Sequence, residues 1–537
     1  MNRAADLLAR RLHEAGCRYA FGMPGGEVLT VVDALAKAGI EFILCKHENN
    51  AGFMAEGVHH RTGVPGILVA TIGPGVANAV NVVANAQQDR VPLIILTGCV
   101  DADDALTFTH QVFDHRALFA PITKATFTLS ANAADLIADK ALAIALRDRS
   151  GPVLIDVPIT VAEMIVERPL RSRDIPASPT APAEGEALSK AREWLAEAER
   201  PLLIAGLDVM KHHASETLRN FVQSYDIPVI TTYKAKGVIP EDHPLALGPI
   251  GLSPLVDTII QPFLKEADLL FCVGYDPVEM RSGWRDAFDP AQQRVVEITA
   301  EVNTHFMHHA SISFVCDVKA GIESLSSGVR ARKTWAQTRA SEIRSAHKAA
   351  FASRGTWGPV QIVEIVRKVF PRNTLATADS GAHRIVMSHV WEAYDERTVL
   401  QSSGLCTMGC ALPLAIGAKI ADPETPVVAF TGDAGLLMVL GELSTLAELA
   451  LPITIVVFVD ASLTLIEMKQ RQRQLPNAGV DFGHHDFAAI AQAFGGAGET
   501  VSDAVSLERA LNDALTRTRQ FTVIAAEIDR GAYDGRF

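Results

Sequence analysis

The chain has 537 residues, of which 48% are hydrophobic and 21% charged, and its formal net charge is −13. This length predicts two to four domains, because a single core stops growing at about 250–300 residues. We expect three. The composition is that of a globular protein. An acidic balance without a block of basic residues argues against nucleic-acid and anionic-membrane partners, so we expect a small-molecule substrate.

The cysteines and the apolar runs predict a cytoplasmic protein without a membrane span. No CxxC pair occurs, which argues against a zinc knuckle and a disulfide framework and fits a reducing compartment. Residues 1–17 form a charged amphipathic pattern, unlike a signal peptide. Apolar runs such as residues 455–459 are far shorter than the ~20 residues that span a bilayer.

Short β-branched runs alternate with helical patterns along the chain, which is typical of βαβ units and parallel sheets. The predicted fold class is therefore α/β, with doubly wound parallel sheets. In the first third, the predicted strands are residues 42–47, 66–73, 92–98 and 152–158. Residues 168–188 are rich in Pro, Ser and Ala without periodicity, which predicts an exposed linker. We place the first domain at residues 1–167.

Two further sets of strands follow the linker. The second set comprises residues 201–206, 227–233, 267–274 and 294–299, and the third comprises residues 374–379, 426–433, 453–460 and 521–528. Residues 330–350 show a charged helical pattern, which we interpret as a connecting helix. The second and third domains are placed at residues 188–328 and 357–537.

Two aspartates in the third set predict a metal site. Asp433 and Asp460 each end a predicted strand, and their separation of 460 − 433 = 27 positions suits one strand-to-strand crossover. Both carboxylates then reach the carboxyl edge of the sheet, where ligands bind in open α/β folds. With the carbonyl of Ser462 they would suit Mg²⁺, Ca²⁺ or Mn²⁺. The alternative is that both aspartates only cap helices.

A phosphate site adjoins this metal site. Ala434 and Gly435 are small and would expose backbone N–H groups at a helix start to a phosphate. Together the two features describe a clamp for a metal and a diphosphate.

The same stretch resembles the diphosphate-binding signature of thiamine diphosphate enzymes, which is Gly-Asp-Gly followed some 25 residues later by Asn. Gly432 and Asp433 match it, and Ala434 is a variation also found in acetolactate synthases. Asp460 stands where the signature has a metal-binding Asn, which adds one negative charge beside the diphosphate. The resemblance implies thiamine diphosphate as cofactor. It also implies a pyrimidine-binding domain, a central domain and a diphosphate-binding domain over the three ranges given above.

The first domain matches the family in order. Residues 21–29 resemble its Gly-Pro-Gly-Gly turn, and residues 46–57 resemble its His-Glu segment. The resemblance makes Glu48 the catalytic glutamate, which holds a proton at an aminopyrimidine nitrogen. The other residues that it assigns are Gly25, Pro74 and Asn78 as cofactor contacts, Gly26 as a substrate contact and Gln111 as a catalytic residue.

Residues 402–419 resemble the family's Gly-Leu-Gly-Thr-Met-Gly run. Met408 falls on the residue that props the bent cofactor, and Cys406 replaces a glycine whose carbonyl receives the 4′-amino group. Leu465 and Ile466 fall on cofactor-facing positions. Lys469 stands where acetolactate synthases have a Trp, and it either pairs with an anionic substrate group or extends to solvent.

The resemblance implies an acetolactate synthase-like C–C lyase and carboligase that acts on a 2-oxo acid, with pyruvate as the default donor. The alternatives within the family are a 2-oxoacid decarboxylase and a sulfoacetaldehyde acetyltransferase-like enzyme. A non-catalytic cofactor-binding subunit is an alternative of another class. A Rossmann dehydrogenase is disfavoured because no GxGxxG follows the first strand.

Two further expectations concern FAD and assembly. Residues 273–285 do not match the flavin-binding segments of acetolactate synthases, which argues against FAD. In the family, the first and third domains of different subunits meet at the active site. We therefore expect a homodimer or homotetramer with shared sites, and we expect Phe53 and Met54 to pack against a partner chain.

Overall fold

The structure is a computed structural model that describes residues 2–167, 178–331 and 337–536. Residues 168–177 of the predicted linker lie outside the described residues, as do residues 332–336 of the predicted connecting helix. Residues 337–350 of that prediction form the helix Gln337–Ala350, whereas residues 330 and 331 are not helical.

The first domain alternates strands and helices. Its strands are β1 (Asn2–Arg3), β2 (Tyr19–Met23), β3 (Glu41–Leu44), β4 (Gly66–Ala70), β5 (Leu93–Cys99), β6 (Ala125–Thr128), β7 (Pro152–Pro158) and β8 (Ile165–Val166). Its helices are α1 (Ala4–Glu14), α2 (Leu29–Ala38), α3 (Glu48–Thr62), α4 (Pro74–Asn78), α5 (Val80–Gln88), α6 (His115–Phe119), α7 (Ala134–Leu146) and α8 (Ile159–Glu163). Six strands form a parallel sheet in the order β3-β2-β4-β5-β7-β6, and β1 pairs with β8.

The central domain forms a second six-stranded parallel sheet. Its strands are β9 (Pro201–Ala205), β10 (Val229–Thr231), β11 (Ala246–Pro249), β12 (Leu269–Val273), β13 (Arg294–Thr299) and β14 (Ile312–Val315). Its helices are α9 (Glu186–Glu197), α10 (Leu207–Lys211), α11 (Ser215–Tyr225), α12 (Pro254–Glu266) and α13 (Val318–Ser326), and α14 (Gln337–Ala350) follows them. The strand order is β11-β10-β9-β12-β13-β14, the order of doubly wound dinucleotide-binding folds.

The third domain repeats the strand order of the first, β16-β15-β17-β18-β20-β19. Its strands are β15 (Leu375–Ala378), β16 (Val399–Gln401), β17 (Val427–Gly432), β18 (Ile453–Val459), β19 (Ala497–Val501) and β20 (Thr522–Glu527). Its helices are α15 (Pro359–Val369), α16 (Ala382–Val390), α17 (Ala411–Ala421), α18 (Asp433–Leu437), α19 (Glu442–Glu448), α20 (Thr464–Gln472), α21 (Phe487–Ala493) and α22 (Ala504–Leu515). All three six-stranded sheets are parallel, as predicted, and the fold is α/β.

The first and third domains share one hydrophobic core across the helices α3 and α17. Their backbones approach closely, because a Cβ on Gly417 would lie 1.9 Å from the carbonyl oxygen of Met54. A Cβ on Gly57 would lie 2.4 Å from the carbonyl oxygen of Leu414. Phe53 and Met54 are both 0% exposed within this core. The expectation that they pack against a partner chain is therefore wrong, since their own chain already buries them.

Candidate active site

A cavity of about 120 Å³ lies at the carboxyl edge of the third sheet, where β17 and β18 end. The described residues that line it all belong to the third domain. Nine residues predicted from the sequence are among them: Met408, Gly432, Asp433, Ala434, Gly435, Asp460, Ser462, Leu465 and Ile466. The structure thus brings together the whole predicted metal and diphosphate clamp.

Asp433 ties the ends of the two strands together. Its carboxylate accepts hydrogen bonds from the backbone N–H groups of Ala434 at 2.8 Å, Asp460 at 3.2 Å and Ala461 at 2.8 Å. The side chain lies at the start of α18 and is buried. Burial raises the pKa of Asp433, while these three backbone hydrogen bonds oppose the rise.

Asp460 lies directly beside Asp433. Its carboxylate accepts hydrogen bonds from the backbone N–H of Ser462 at 3.2 Å and from the hydroxyl of Thr464. Burial, together with the negative charge of Asp433, raises the pKa of Asp460 to about 6. The carboxylates of buried Asp433 and partly buried Asp460 repel each other, and a divalent cation between them would relieve this repulsion.

The donor set fits a cation that is also bound by phosphate oxygens. The hydroxyl of Ser462 donates to Asp481 at 2.9 Å, so its carbonyl is the group left for a metal. Within the described ranges, no cluster of three or more His, Cys, Asp or Glu side chains is arranged to hold a metal. Proteins usually bind Mg²⁺ through one or two carboxylates, and substrate phosphates complete its coordination.

Asp379 and His383 belong to the site, although the sequence analysis did not single them out. The buried carboxylate of Asp379 accepts hydrogen bonds from His383 Nε2 at 2.7 Å and from the backbone N–H of Gly409 at 2.7 Å. His383 lines the cavity and stacks on Phe458. A Cβ on Gly435 would lie 1.9 Å from Oδ2 of Asp379, which explains the glycine. The sequence pattern could have indicated Asp379, because it directly follows β15 as Asp433 follows β17, whereas His383 lies within α16 and has no such signal.

The catalytic glutamate predicted by resemblance lies in the first domain. Glu48 begins α3, is 4% exposed and accepts a hydrogen bond from Nδ2 of Asn78 at 3.0 Å. A Cβ on Gly75 would lie 3.1 Å from Oε1 of Glu48, so the turn that begins α4 at Pro74 approaches the carboxylate closely.

Gln111 packs against the same turn. Gly73 has a φ of +71°, and a Cβ there would lie 2.8 Å from the Cβ of Gln111. A Cβ on Gly25 would lie 2.1 Å from Oγ1 of Thr71, so the glycine turn also approaches the carboxyl end of β4 closely, whereas Gly26 is open. The predicted first-domain residues thus surround one sheet edge, but none of them lines the third-domain cavity.

The loop that carries Cys406 and Met408 runs between the two domains. Met408 lines the cavity, whereas Cys406 is exposed at a φ of +50° and accepts a hydrogen bond from Arg384 at 3.0 Å. The carboxylate of Asp89 holds the start of this loop by accepting from the N–H groups of Ser403 at 3.0 Å and Gly404 at 2.7 Å.

Lys469 lies on α20, one turn beyond Leu465 and Ile466, and is exposed. It does not line the cavity. Its predicted contact with a substrate is therefore not made within the cavity, and it remains a prediction.

Comparisons with known proteins identify the family of the chain. Family models match three segments of the chain in order: "Thiamine pyrophosphate enzyme, N-terminal TPP binding domain" at residues 2–118, "Thiamine pyrophosphate enzyme, central domain" at residues 188–325 and "Thiamine pyrophosphate enzyme, C-terminal TPP binding domain" at residues 379–526. A "Probable acetolactate synthase large subunit" of Methanocaldococcus jannaschii is 31% identical over 96% of this chain and 90% of its own length. The chain belongs to the acetolactate synthase-like family of thiamine diphosphate-dependent enzymes.

Other acetolactate synthase-like proteins show the same extent of similarity. The "Acetolactate synthase" of Bacillus subtilis (strain 168) is 29% identical over 96% of this chain and 91% of its own length. The "Acetolactate synthase, catabolic" of Raoultella terrigena is 28% identical over 95% of this chain and 92% of its own length. Among the residues that the structure describes, no helix is both long and apolar enough to cross a membrane.

Proposed function

We propose that the chain is a thiamine diphosphate- and Mg²⁺-dependent lyase and carboligase that acts on a 2-oxo acid, with a pyruvate-like donor. The observation that carries this proposal is the convergence of Asp433 and Asp460 in one cavity at the carboxyl edge of the third sheet. The full-length similarity to proteins named acetolactate synthases supports the reaction class.

The metal would be held by Asp433, Asp460 and the carbonyl of Ser462. Gly432, Ala434 and Gly435 keep side-chain bulk away from the diphosphate, and the remaining cofactor contacts would be Gly25, Pro74, Asn78, Cys406, Met408, Leu465 and Ile466. Ca²⁺ and Mn²⁺ accept the same oxygen ligands as Mg²⁺.

When bound, thiamine diphosphate supplies the nucleophilic carbon and the electron sink that cleavage beside a carbonyl requires. The buried carboxylate of Glu48 holds a proton at an aminopyrimidine nitrogen, and the hydrogen bond from Asn78 orients that carboxylate. Gln111, packed against the turn at Gly73, lies on the same sheet edge and would contact the substrate.

We further propose a homodimer or homotetramer in which the first domain of one chain completes the site of another. Glu48 and Asn78 do not line the third-domain cavity of their own chain. The contact between these domains within one chain instead uses the α3 and α17 helices. A closed two-fold assembly is the commonest way to provide the missing partner.

Mixing two inactive variants tests this assembly. Glu48→Gln and Asp433→Ala subunits, mixed under conditions that let them exchange, should recover part of the activity, because one interface of the mixed dimer joins an intact Glu48 to an intact Asp433. Verified mixed dimers that stay inactive, or an active species of one-chain mass in light scattering, would contradict the shared site.

A second candidate function rests on Lys469, which stands where acetolactate synthases have a Trp and is exposed on α20. An exposed lysine would favour an anionic acceptor or donor, as in a sulfoacetaldehyde acetyltransferase-like enzyme. A simple 2-oxoacid decarboxylase would use a proton as the acceptor instead.

Product analysis by mass spectrometry separates these reactions. The protein is incubated with pyruvate and a panel of 2-oxo acid, aldehyde and phosphate acceptors, and in a parallel arm with sulfoacetaldehyde and phosphate. Acetolactate from pyruvate supports the first proposal, acetaldehyde alone indicates a decarboxylase, and acetyl phosphate from the sulfoacetaldehyde arm indicates an acetyltransferase. A protein that binds the cofactor and forms no product would be a non-catalytic subunit.

A further inference from the structure

A second cavity, of about 200 Å³, lies where the three domains meet. The first domain contributes the end of α3 and the end of α7, the central domain contributes α10, and the third domain contributes residues on both sides of the start of β16. It shares no lining residue with the candidate active site. It is therefore a separate enclosure.

The wall of this cavity has an excess of positive groups. Four of the described lining residues are Lys or Arg, whereas Asp89 is the single acidic one. Asp89 is already paired with Lys234 at 2.7 Å. Lys211 is paired with Asp148 at 2.6 Å, and Arg90 is paired with Asp208 at 3.0 Å and with Asp276, and these three carboxylates lie outside the lining.

Arg397 is the cation that the protein leaves least compensated. None of the ion pairs among the described residues includes it, and burial lowers the pKa of its guanidinium. Its neighbour Glu396 accepts a hydrogen bond from the hydroxyl of Ser215. Burial lowers the pKa of His59, and the nearby positive charges of Arg397 and Lys211 lower it in the same direction.

Part of the wall is apolar. Leu146, Leu207 and Met210 line the cavity from the first and central domains, and Val399 and Leu400 line it from the third. Polar groups that converge on an otherwise apolar enclosure are the usual composition of a small-molecule site. An arginine binds a carboxylate through two parallel hydrogen bonds, which gives such a site its geometry.

We propose that this cavity binds a small carboxylate with an apolar body, with Arg397 and Lys211 holding the carboxylate and Leu146, Leu207 and Met210 contacting the body. The ligand contacts all three domains of one chain. Because it binds the folded chain and not the unfolded one, its occupancy stabilises the three-domain arrangement.

Titration calorimetry with 3-methylbutanoate tests the site in the holoenzyme, with thiamine diphosphate and Mg²⁺ saturating. We expect binding of one molecule per chain and an upward shift of the thermal unfolding midpoint. Arg397→Met should weaken binding at least tenfold, and Arg397→Lys should weaken it less. Arg509→Met is the matched control, since Arg509 is 61% exposed and pairs with Glu499 on the surface, and it should leave the affinity unchanged.

Inorganic phosphate is the comparison probe and should bind more weakly, because it has no apolar body. Should Arg397→Met fail to fold, Lys211→Met tests the same contact from α10, where the Lys211 side chain is 19% exposed. No binding of 3-methylbutanoate, an equal loss in Arg509→Met, unchanged binding in Arg397→Met or Lys211→Met, or tighter binding of phosphate than of the carboxylate would each overturn the proposal.

Discussion

Replacing Asp89 by asparagine should weaken both the fold and the binding of thiamine diphosphate. The Asp89 carboxylate accepts from Lys234 Nζ at 2.7 Å and from the backbone N–H groups of Ser403 at 3.0 Å and Gly404 at 2.7 Å. These bonds join the first domain to the central domain and to the loop that carries Met408. The Asp89 side chain is 0% exposed and that of Lys234 is 8% exposed, so water cannot replace the lost charge.

The magnitude follows from these contacts. Removing one partner of a buried ion pair costs about 3–5 kcal/mol, because the other charge stays buried. In the variant, Lys234 can still donate a hydrogen bond to the carbonyl of Gln401, which lies at 3.0 Å. The asparagine oxygen can still accept a hydrogen bond from one backbone N–H group. We therefore expect a loss near the lower end, about 3 kcal/mol. Each ~1.4 kcal/mol of this loss that destabilises the loop carrying Met408 raises the dissociation constant of the cofactor tenfold. We expect that dissociation constant to rise at least tenfold.

Asp422→Asn is the matched control, since Asp422 also pairs a first-domain cation, Arg61, at 2.5 Å. These side chains are 29% and 21% exposed, and such pairs contribute at most about 1 kcal/mol. The first urea transition, followed by circular dichroism, measures the loss of stability. A cofactor titration with saturating Mg²⁺ measures the loss of cofactor affinity. The double variant Asp89→Asn/Lys234→Met should recover part of the stability. An Asp89→Asn protein no less stable than Asp422→Asn would refute the reasoning.

Three further variants test other parts of the site. Asp460→Asn should retain the metal and bind thiamine diphosphate more tightly, since it removes a negative charge beside Asp433, and a large loss of cofactor affinity in calorimetry would mean that Asp460 is wrongly aligned. Glu48→Gln should fold and bind the cofactor but exchange the C2 proton slowly in deuterated water, and wild-type exchange measured by NMR would remove Glu48 from the mechanism. Glu56→Gln should lessen the loss of stability as pH rises from about 5 to 8. Burial raises the pKa of Glu56 from 4.5 to about 8. The folded state therefore holds this proton more tightly than the unfolded state, and ionising Glu56 lowers the stability across that pH window. Urea midpoints at several pH values that fall equally in wild type and variant would contradict this.

Most interior strands could be predicted because they are buried on both faces. The run at residues 294–299 coincides with β13, and the run at residues 453–460 contains β18 with all seven of its residues buried. In the three six-stranded sheets, the predicted set missed the interior strand β2 and five edge strands. Three of these edge strands, β6, β14 and β19, are partly exposed. An edge strand has a mixed apolar and polar pattern, which resembles that of a loop.

The third-domain site could be predicted because its residues follow strand ends at a spacing that one crossover imposes. The link between Asp379 and Gly435 could not, since it joins positions far apart in the chain that only the packed sheet brings together. The burial of Phe53 and Met54 was missed for a similar reason. Apolar side chains on a helix indicate a contact, but they do not indicate whether it is made by the same chain or by another.

Titration calorimetry of thiamine diphosphate with and without a divalent cation tests the central claim most directly. Buried Asp433 and partly buried Asp460 place two carboxylates at the proposed diphosphate site, so the diphosphate should bind only when a cation bridges it to these carboxylates. We predict measurable affinity with Mg²⁺ and none with EDTA. Equal affinity in both conditions would contradict the metal and diphosphate clamp.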